Sequence, residues 1–189
     1  MSGSGKTTIG RAVGDVLAAR GVHVEVLDSG RIRQQVNRHL GFSRKEVETQ
    51  LLRLGYECHL LNRNGITTIV TAISPYRDVR DRLRVELDDF VEVYCKCAME
   101  TLMQRGAADL FEKAKRGEIA HVAGINAPYE EPLKPDVLLE TDRLSVEESV
   151  KKSIALLEAT GRLKRVETAC YTIEEEAMIR KRLKELGYL

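Results

Sequence analysis

Apolar residues recur along this chain at two spacings that alternate from one end to the other. From Lys6 to Arg20 they fall at helical intervals (Ile9, Ala12, Val13, Val16, Leu17), which predicts an amphipathic helix ended by Gly21. Val22 to Leu27 then reads as a strand that stops at Asp28, and Arg31 to His39 as a short helix. Ser43 with Glu46 three residues on forms a capping box for a longer helix, which runs to about Asn64 and is stopped by Gly65. Ile66 to Ile73, rich in β-branched residues, is a buried strand. Pro75 opens a helix through Leu87, Phe90 to Cys95 is a third strand, and Leu110 to Arg116 a short helix. After a loop holding Gly124, Pro128, Pro132 and Pro135 come a strand over Val137 to Glu140 and a helix capped by Ser145. Glu174 to Leu186 reads as a charged, amphipathic last helix.

Strands separated by helices pair in parallel, with helices on both faces of the sheet. The expected fold is therefore a three-layer α/β domain with a mainly parallel central sheet of about five strands. Residues 1–163 form one domain, and 164–189, where the composition turns more charged, a helical extension.

Composition narrows the function more by exclusion than by indication. With 30 Lys plus Arg against 29 Asp plus Glu, the formal net charge is +1. That balance gives no general attraction for nucleic acid or a membrane surface, so an anion site has to be a local cluster. No apolar run reaches the length of a membrane span and no signal peptide is recognisable, so a cytoplasmic location is expected. Cys58, Cys95, Cys97 and Cys170 lack the spacing of a zinc knuckle or a CxxC redox pair and read as reduced thiols. The four histidines show no ligand spacing.

The chemistry is concentrated at the start. Ser2-Gly3-Ser4-Gly5-Lys6-Thr7-Thr8 is the end of the GxxxxGK[ST] phosphate-loop pattern and opens the first helix. Small residues let successive backbone N–H groups face one concavity, and the helix N-terminus adds its positive end. The seven residues are thus assigned to ATP, with Lys6 reaching the β- and γ-phosphates and Thr7 holding Mg²⁺. The first glycine of the pattern would fall one residue before Met1, and the strand that leads into such loops is missing from the sequence. The expectation is a start assigned too late, the alternative being a truncated chain, with neighbouring strand edges exposed in either case.

Beyond this loop, six segments together resemble the adenylylsulfate kinases: Ser2–Thr8, Leu40-Gly41-Phe42-Ser43, Ile73-Ser74-Pro75-Tyr76-Arg77, Phe90-Val91-Glu92-Val93, the run Lys113–Ile119, and Gly124-Ile125-Asn126-Ala127-Pro128-Tyr129-Glu130. The resemblance extends to about Gly161. It implies a P-loop kinase that phosphorylates the 3′-hydroxyl of adenosine 5′-phosphosulfate with Mg-ATP, compatible with a homodimer and with association with an ATP sulfurylase. It also implies roles for single residues. Asp28 joins Thr7 at the metal and, with Lys6 and Ser74, in catalysis. Arg33, Phe42, Ile73, Ser74, Arg77 and Lys113 face the acceptor, Phe42 as a stacking aromatic. Arg80, Arg82 and Arg84, just after Arg77, read mostly as an exposed helix face.

The resemblance breaks at defined places. The second acid of the family's Asp-Gly-Asp-Asn is Gly30 here, a pocket arginine falls at Val47, an asparagine at Gln50, and a second stacking aromatic at Val122. The family's lid sequence reads Gly106-Ala107-Ala108-Asp109-Leu110-Phe111. These departures leave open a related kinase with another hydroxyl acceptor, or a non-catalytic ATP-binding module of a sulfate-activating system.

Overall fold

The computed structural model of the chain describes residues 1–164 and Lys184; the expected helix at Glu174–Leu186 and almost all of the expected extension lie outside the described residues. Helices and strands alternate as the hydrophobic pattern predicts. The elements are α1 (Lys6–Ala19), β1 (Val24–Asp28), α2 (Ser29–Gln35), α3 (Arg44–Asn62), β2 (Thr67–Thr71), α4 (Arg77–Glu86), β3 (Val93–Lys96), α5 (Met99–Leu102), a π-helical turn (Met103–Ala107), α6 (Ala108–Lys115), β4 (Val137–Glu140) and α7 (Val146–Ala159).

Among the described residues there are four strands where about five were expected, all parallel, and they pair two by two: β1 with β2, and β3 with β4. Period-two alternation sorts their side chains to opposite faces. On one face, Ile9, Val13 and Leu17 of α1 and Ile154 of α7 pack with Ile69, Cys95, Val137 and Leu139. On the other, Leu51 and Leu54 of α3 and Val79 and Leu83 of α4 pack with Leu27 and Ala72. One helix pair thus packs across both strand pairs, which are not hydrogen-bonded to each other. Val70 of β2 and Val93 of β3 remain 40% and 42% exposed.

Helix α1 lies very close to the first strand pair, and its two glycines are the reason. A Cβ on Gly10 would stand 2.6 Å from Thr71 Cγ2, and one on Gly14 2.9 Å from Val26 Cγ2. This approach carries the start of α1, and with it the phosphate loop, down onto the ends of β1 and β2.

The Ser43–Glu46 capping box sits where the sequence puts it, and the Ser145 cap is completed into a second box by Glu148. The Glu46 carboxylate accepts from the Ser43 N–H at 3.1 Å, and Ser145 and Glu148 cap each other at the start of α7. The helix expected to open at Pro75 instead starts at Arg77, because its cap arrives from 53 residues away: the Glu130 carboxylate accepts the Arg77 N–H at 2.7 Å. The Ser74 backbone, ahead of that helix, has a left-handed φ of 42°. The arginines of α4 do not share one exposed face. Arg82 pairs outside with Glu86, whereas Arg80 is buried, with 7% of its surface accessible.

Candidate functional site

The chain from Ser2 to Gly5 folds as a tight turn whose glycines carry positive φ, 78° at Gly3 and 81° at Gly5. L-residues resist that conformation, which lets the backbone of such a loop turn N–H groups toward one side at the mouth of a helix. Ser4 is buried at 1% exposure and fastens the loop from below: its hydroxyl donates to Met1 O at 3.0 Å, and its carbonyl accepts from Thr141 Oγ1 at 3.2 Å. Thr141 follows β4 directly, so the loop is tied to the C-terminal end of the second strand pair. Lys6 Nζ donates to Met1 O at 2.5 Å and to Ser4 Oγ at 3.3 Å. Burial pushes the Lys6 ammonium below its ordinary range, with the fields of Cys95 and Asp28 pulling the other way.

Asp28 joins the loop to the first strand pair. As the last residue of β1 it caps α2, Oδ1 accepting the Arg31 N–H at 3.0 Å. Its Oδ2 accepts from Thr7 Oγ1 at 2.9 Å and from Thr71 Oγ1 at 3.1 Å. Burial alone would raise this carboxyl, but the hydrogen bonds from Arg31, Thr7 and Thr71 outweigh it and hold Asp28 below the usual carboxylate range. The result is a fixed anion beside the phosphate loop. At Gly30, where the resembling family carries a second acid, a Cβ would stand 3.2 Å from Asp28 Oδ1. Among the described residues, Asp28 is the only carboxylate lining the cavity that opens over the loop.

That cavity measures about 960 Å³. Of the residues singled out in the sequence, Ser2, Gly3, Gly5, Lys6, Thr7, Thr8, Asp28, Arg33, Phe42, Ile73 and Ser74 line it. Ser4 supports it from beneath. Arg33 lies over the Phe42 ring, 4.7 Å from its centroid, and donates to the carbonyls of Leu40 and Gly41, which fixes the loop presenting Phe42. Phe42 itself is 57% exposed at the rim. Two residues lie elsewhere. Arg77 donates to Glu131 O at 3.1 Å, and Lys113 pairs with Asp109 along α6 at 2.8 Å; neither lines the cavity.

The cavity wall also holds three residues to which the sequence assigns no site role. Thr71 is one, at 7% exposure. Gln50 is a second, at 1% exposure, its Nε2 donating to Ser29 O at 3.4 Å and its Oε1 buried without a partner. Arg105 is a third: it sits in the π-helical turn, with its Nη2 donating to Thr141 O at 2.6 Å. The phosphate loop lies against this turn, since a Cβ on Gly3 would be 3.5 Å from Leu102 O and 3.6 Å from Ala107 Cβ. The chain kinks here, because Arg105 and Gly106 leave the helical region, Gly106 with a positive φ of 89°, and the Arg-Gly pair is the sequence trace of that kink. Together the residues make a hollow with backbone donors, Lys6 and Arg105 at one end and an aromatic rim at the other. One fixed carboxylate lies near the loop. Such a hollow can hold the phosphates of one ligand and present a second, planar one to them.

Known proteins give this geometry a context. The profile of the adenylylsulphate kinase family matches residues 1–140. The chain is 42% identical over 163 residues to the adenylyl-sulfate kinase of Rippkaea orientalis, across 86% of this chain and 90% of that protein. It is 42% identical over 161 residues to the probable bifunctional SAT/APS kinase 2 of Sorangium cellulosum, across 85% of this chain but 28% of that longer protein. Among solved structures, the Mycobacterium tuberculosis APS kinase CysC in complex with AMPPNP and APS superposes with a TM-score of 0.78 at 36% identity, across 84% of this chain and 93% of that one.

Proposed function

The chain belongs to the adenylylsulphate kinase family, and on that premise we propose how its own residues divide the work of the family's reaction. That reaction moves the γ-phosphoryl group of ATP to the 3′-hydroxyl of adenosine 5′-phosphosulfate. A bond forms between the hydroxyl oxygen and the γ-phosphorus, the bond from that phosphorus to the β–γ bridging oxygen breaks, and the products are the 3′-phosphorylated nucleotide (PAPS), ADP and the hydroxyl's proton, which passes to solvent.

The backbone N–H groups of Ser2–Thr8 and the Lys6 ammonium bind the phosphates, and Arg105 meets them from the turn opposite. Arg33 holds the rim loop so that Phe42 stacks on the acceptor's adenine, and Ile73-Ser74 bounds the space where the acceptor ribose lies. The Thr7 hydroxyl and the Asp28 carboxylate, 2.9 Å apart beside the loop, are hard oxygen donors of the kind magnesium takes. Magnesium held there would neutralise charge on the transferring phosphoryl group. Asp28 also orients the attacking hydroxyl. A carboxyl held below its usual range is a weak proton acceptor, and phosphoryl transfer through a loose transition state asks mainly for alignment and charge stabilisation. This division of labour lets the site work with Gly30 in place of a second acid.

The observation that carries the proposal is the convergence of the phosphate loop, Asp28 with Thr7, and the Arg33–Phe42 rim on one cavity. A relative that joins SAT and APS kinase in one chain supports action beside a sulfurylase that supplies the acceptor. The test is ADP release from Mg-ATP by the purified chain, with and without adenosine 5′-phosphosulfate. The proposal expects release to be stimulated by the acceptor and abolished by EDTA. ATP binding without any stimulation would defeat it.

A further inference from the structure

Arg80, on α4, is a buried cation within reach of three separate parts of the chain. Its Nη1 donates to Ser74 O at 2.7 Å and its Nη2 to Glu130 O at 2.7 Å, and its Nε stands 2.7 Å from Glu92 Oε1. Each partner has a definite place. Ser74 follows β2, lines the cavity and has the left-handed φ of 42°. Glu130 follows Ala127 and Pro128, which line the same cavity, and its N–H donates to Pro75 O beside Ser74. Glu92 stands immediately before β3. Past Glu92 the charges continue: Arg84 contacts Glu92 at 3.4 Å and Asp136 at 2.8 Å, and Asp136 accepts the Glu92 N–H at 2.7 Å.

This ladder therefore links the exit of the first strand pair to the entries of both strands of the second pair. The two pairs share no backbone hydrogen bonds with each other. Besides the packing of α1, these side chains join them on the acceptor side of the cavity. A planar guanidinium suits the task, because its fork meets two carbonyls in fixed directions, which a lysine ammonium on a flexible stem does not. The neighbouring contacts reinforce the same seam: the Glu130 N–H donates to Pro75 O at 2.8 Å, and Tyr94 stacks on Tyr129 at 6.3 Å between centroids.

We propose that Arg80 is a positioning residue for the acceptor: with Glu92 it clamps the Ser74 carbonyl and the 127–131 segment together, setting the width of the acceptor half of the cavity while leaving the ATP half alone. It touches neither substrate and acts through Ser74 and the 127–131 segment. The proposal rests on the kinase reading above only for its kinetic arm.

The test uses Arg80→Lys, which keeps the charge and loses the fork, with Glu92→Gln as a second, milder variant. Hydrogen exchange supplies an arm independent of activity. In Arg80→Lys, exchange at the Glu130 amide and through 121–131 is expected to quicken about tenfold or more, with α1 and α3 as protected as before. In the kinetic arm, KM for adenosine 5′-phosphosulfate should rise about tenfold, the loss of one charge-assisted hydrogen bond, while kcat and the Kd of ATP change less than about threefold. Glu92→Gln should shift both readouts in the same direction by less. Unchanged exchange in 121–131 overturns the proposal. So does exchange that quickens equally in α1, or a loss of kcat and ATP affinity with the acceptor KM unmoved, since a general scaffold role would give those results. If the unmodified chain shows no acceptor-stimulated turnover, the kinase assignment fails and the exchange arm still decides the role of Arg80.

Discussion

Thr71→Val isolates one hydrogen bond of the Asp28 network with little change in shape. The Thr71 hydroxyl donates to Asp28 Oδ2 at 3.1 Å from a position that is 7% exposed, so valine refills the volume and removes the donor. A hydrogen bond to a charged group is worth about 1.5–3 kcal/mol when buried. Asp28 is partly exposed and keeps Thr7 and the Arg31 N–H as donors, which discounts the loss to about 1 kcal/mol. The sign with pH follows from Asp28 being held below its ordinary value of 3.8. Such a group stabilises the fold above its unfolded pKa, and that contribution disappears as pH falls through the lower, folded value. The Thr71→Val deficit should therefore be full at neutral pH and shrink below the ordinary carboxylate range. Urea unfolding of both proteins from neutral pH down to about pH 3 measures it. A deficit that persists undiminished at the acid end would mean that it comes from packing and not from the carboxylate. No deficit at neutral pH would refute the hydrogen bond itself.

Two further outcomes follow from the phosphate end of the cavity. Lys6→Ala should lower kcat by about 10²–10³-fold, the usual cost of one preorganised donor aimed at developing charge, with binding of adenosine 5′-phosphosulfate retained in calorimetry. Arg105→Ala should raise KM for ATP about tenfold and leave KM for the acceptor within twofold in steady-state kinetics.

How much of this could be read from the sequence depended on how far apart the partners stand. The phosphate loop is seven consecutive residues whose chemistry needs no distant contact, so its position before a helix was plain. Asp28 was legible because a strand ends there, and the Ser43 capping box and the Ser145 cap because their partners are three residues away. Thr71 and Arg80 were not. Thr71 looks like any β-branched strand residue until β1 and β2 pair in register and Asp28 stands opposite it. Arg80 looks like one of four arginines on a charged helix until the fold brings Glu92, Ser74 and Glu130 around it. The start of α4 was placed two residues early because its cap is Glu130, from a loop far along the chain. The pairing of the strands two by two was equally hidden, since hydrophobic alternation specifies that a segment is a strand and leaves its partner undetermined.

In the proposed mechanism Asp28 supplies the carboxylate chemistry of this site, as the one carboxylate lining the cavity among the described residues. Turnover of Asp28→Asn at saturating ATP and adenosine 5′-phosphosulfate, followed across a magnesium titration, tests it most directly. Asparagine keeps the shape and the acceptor for Thr7 but removes the charge. A kcat about 10²-fold lower or worse is expected, with partial recovery as magnesium is raised. Activity close to that of the unmodified chain, at an unaltered magnesium requirement, would contradict it and assign the role to a group other than Asp28.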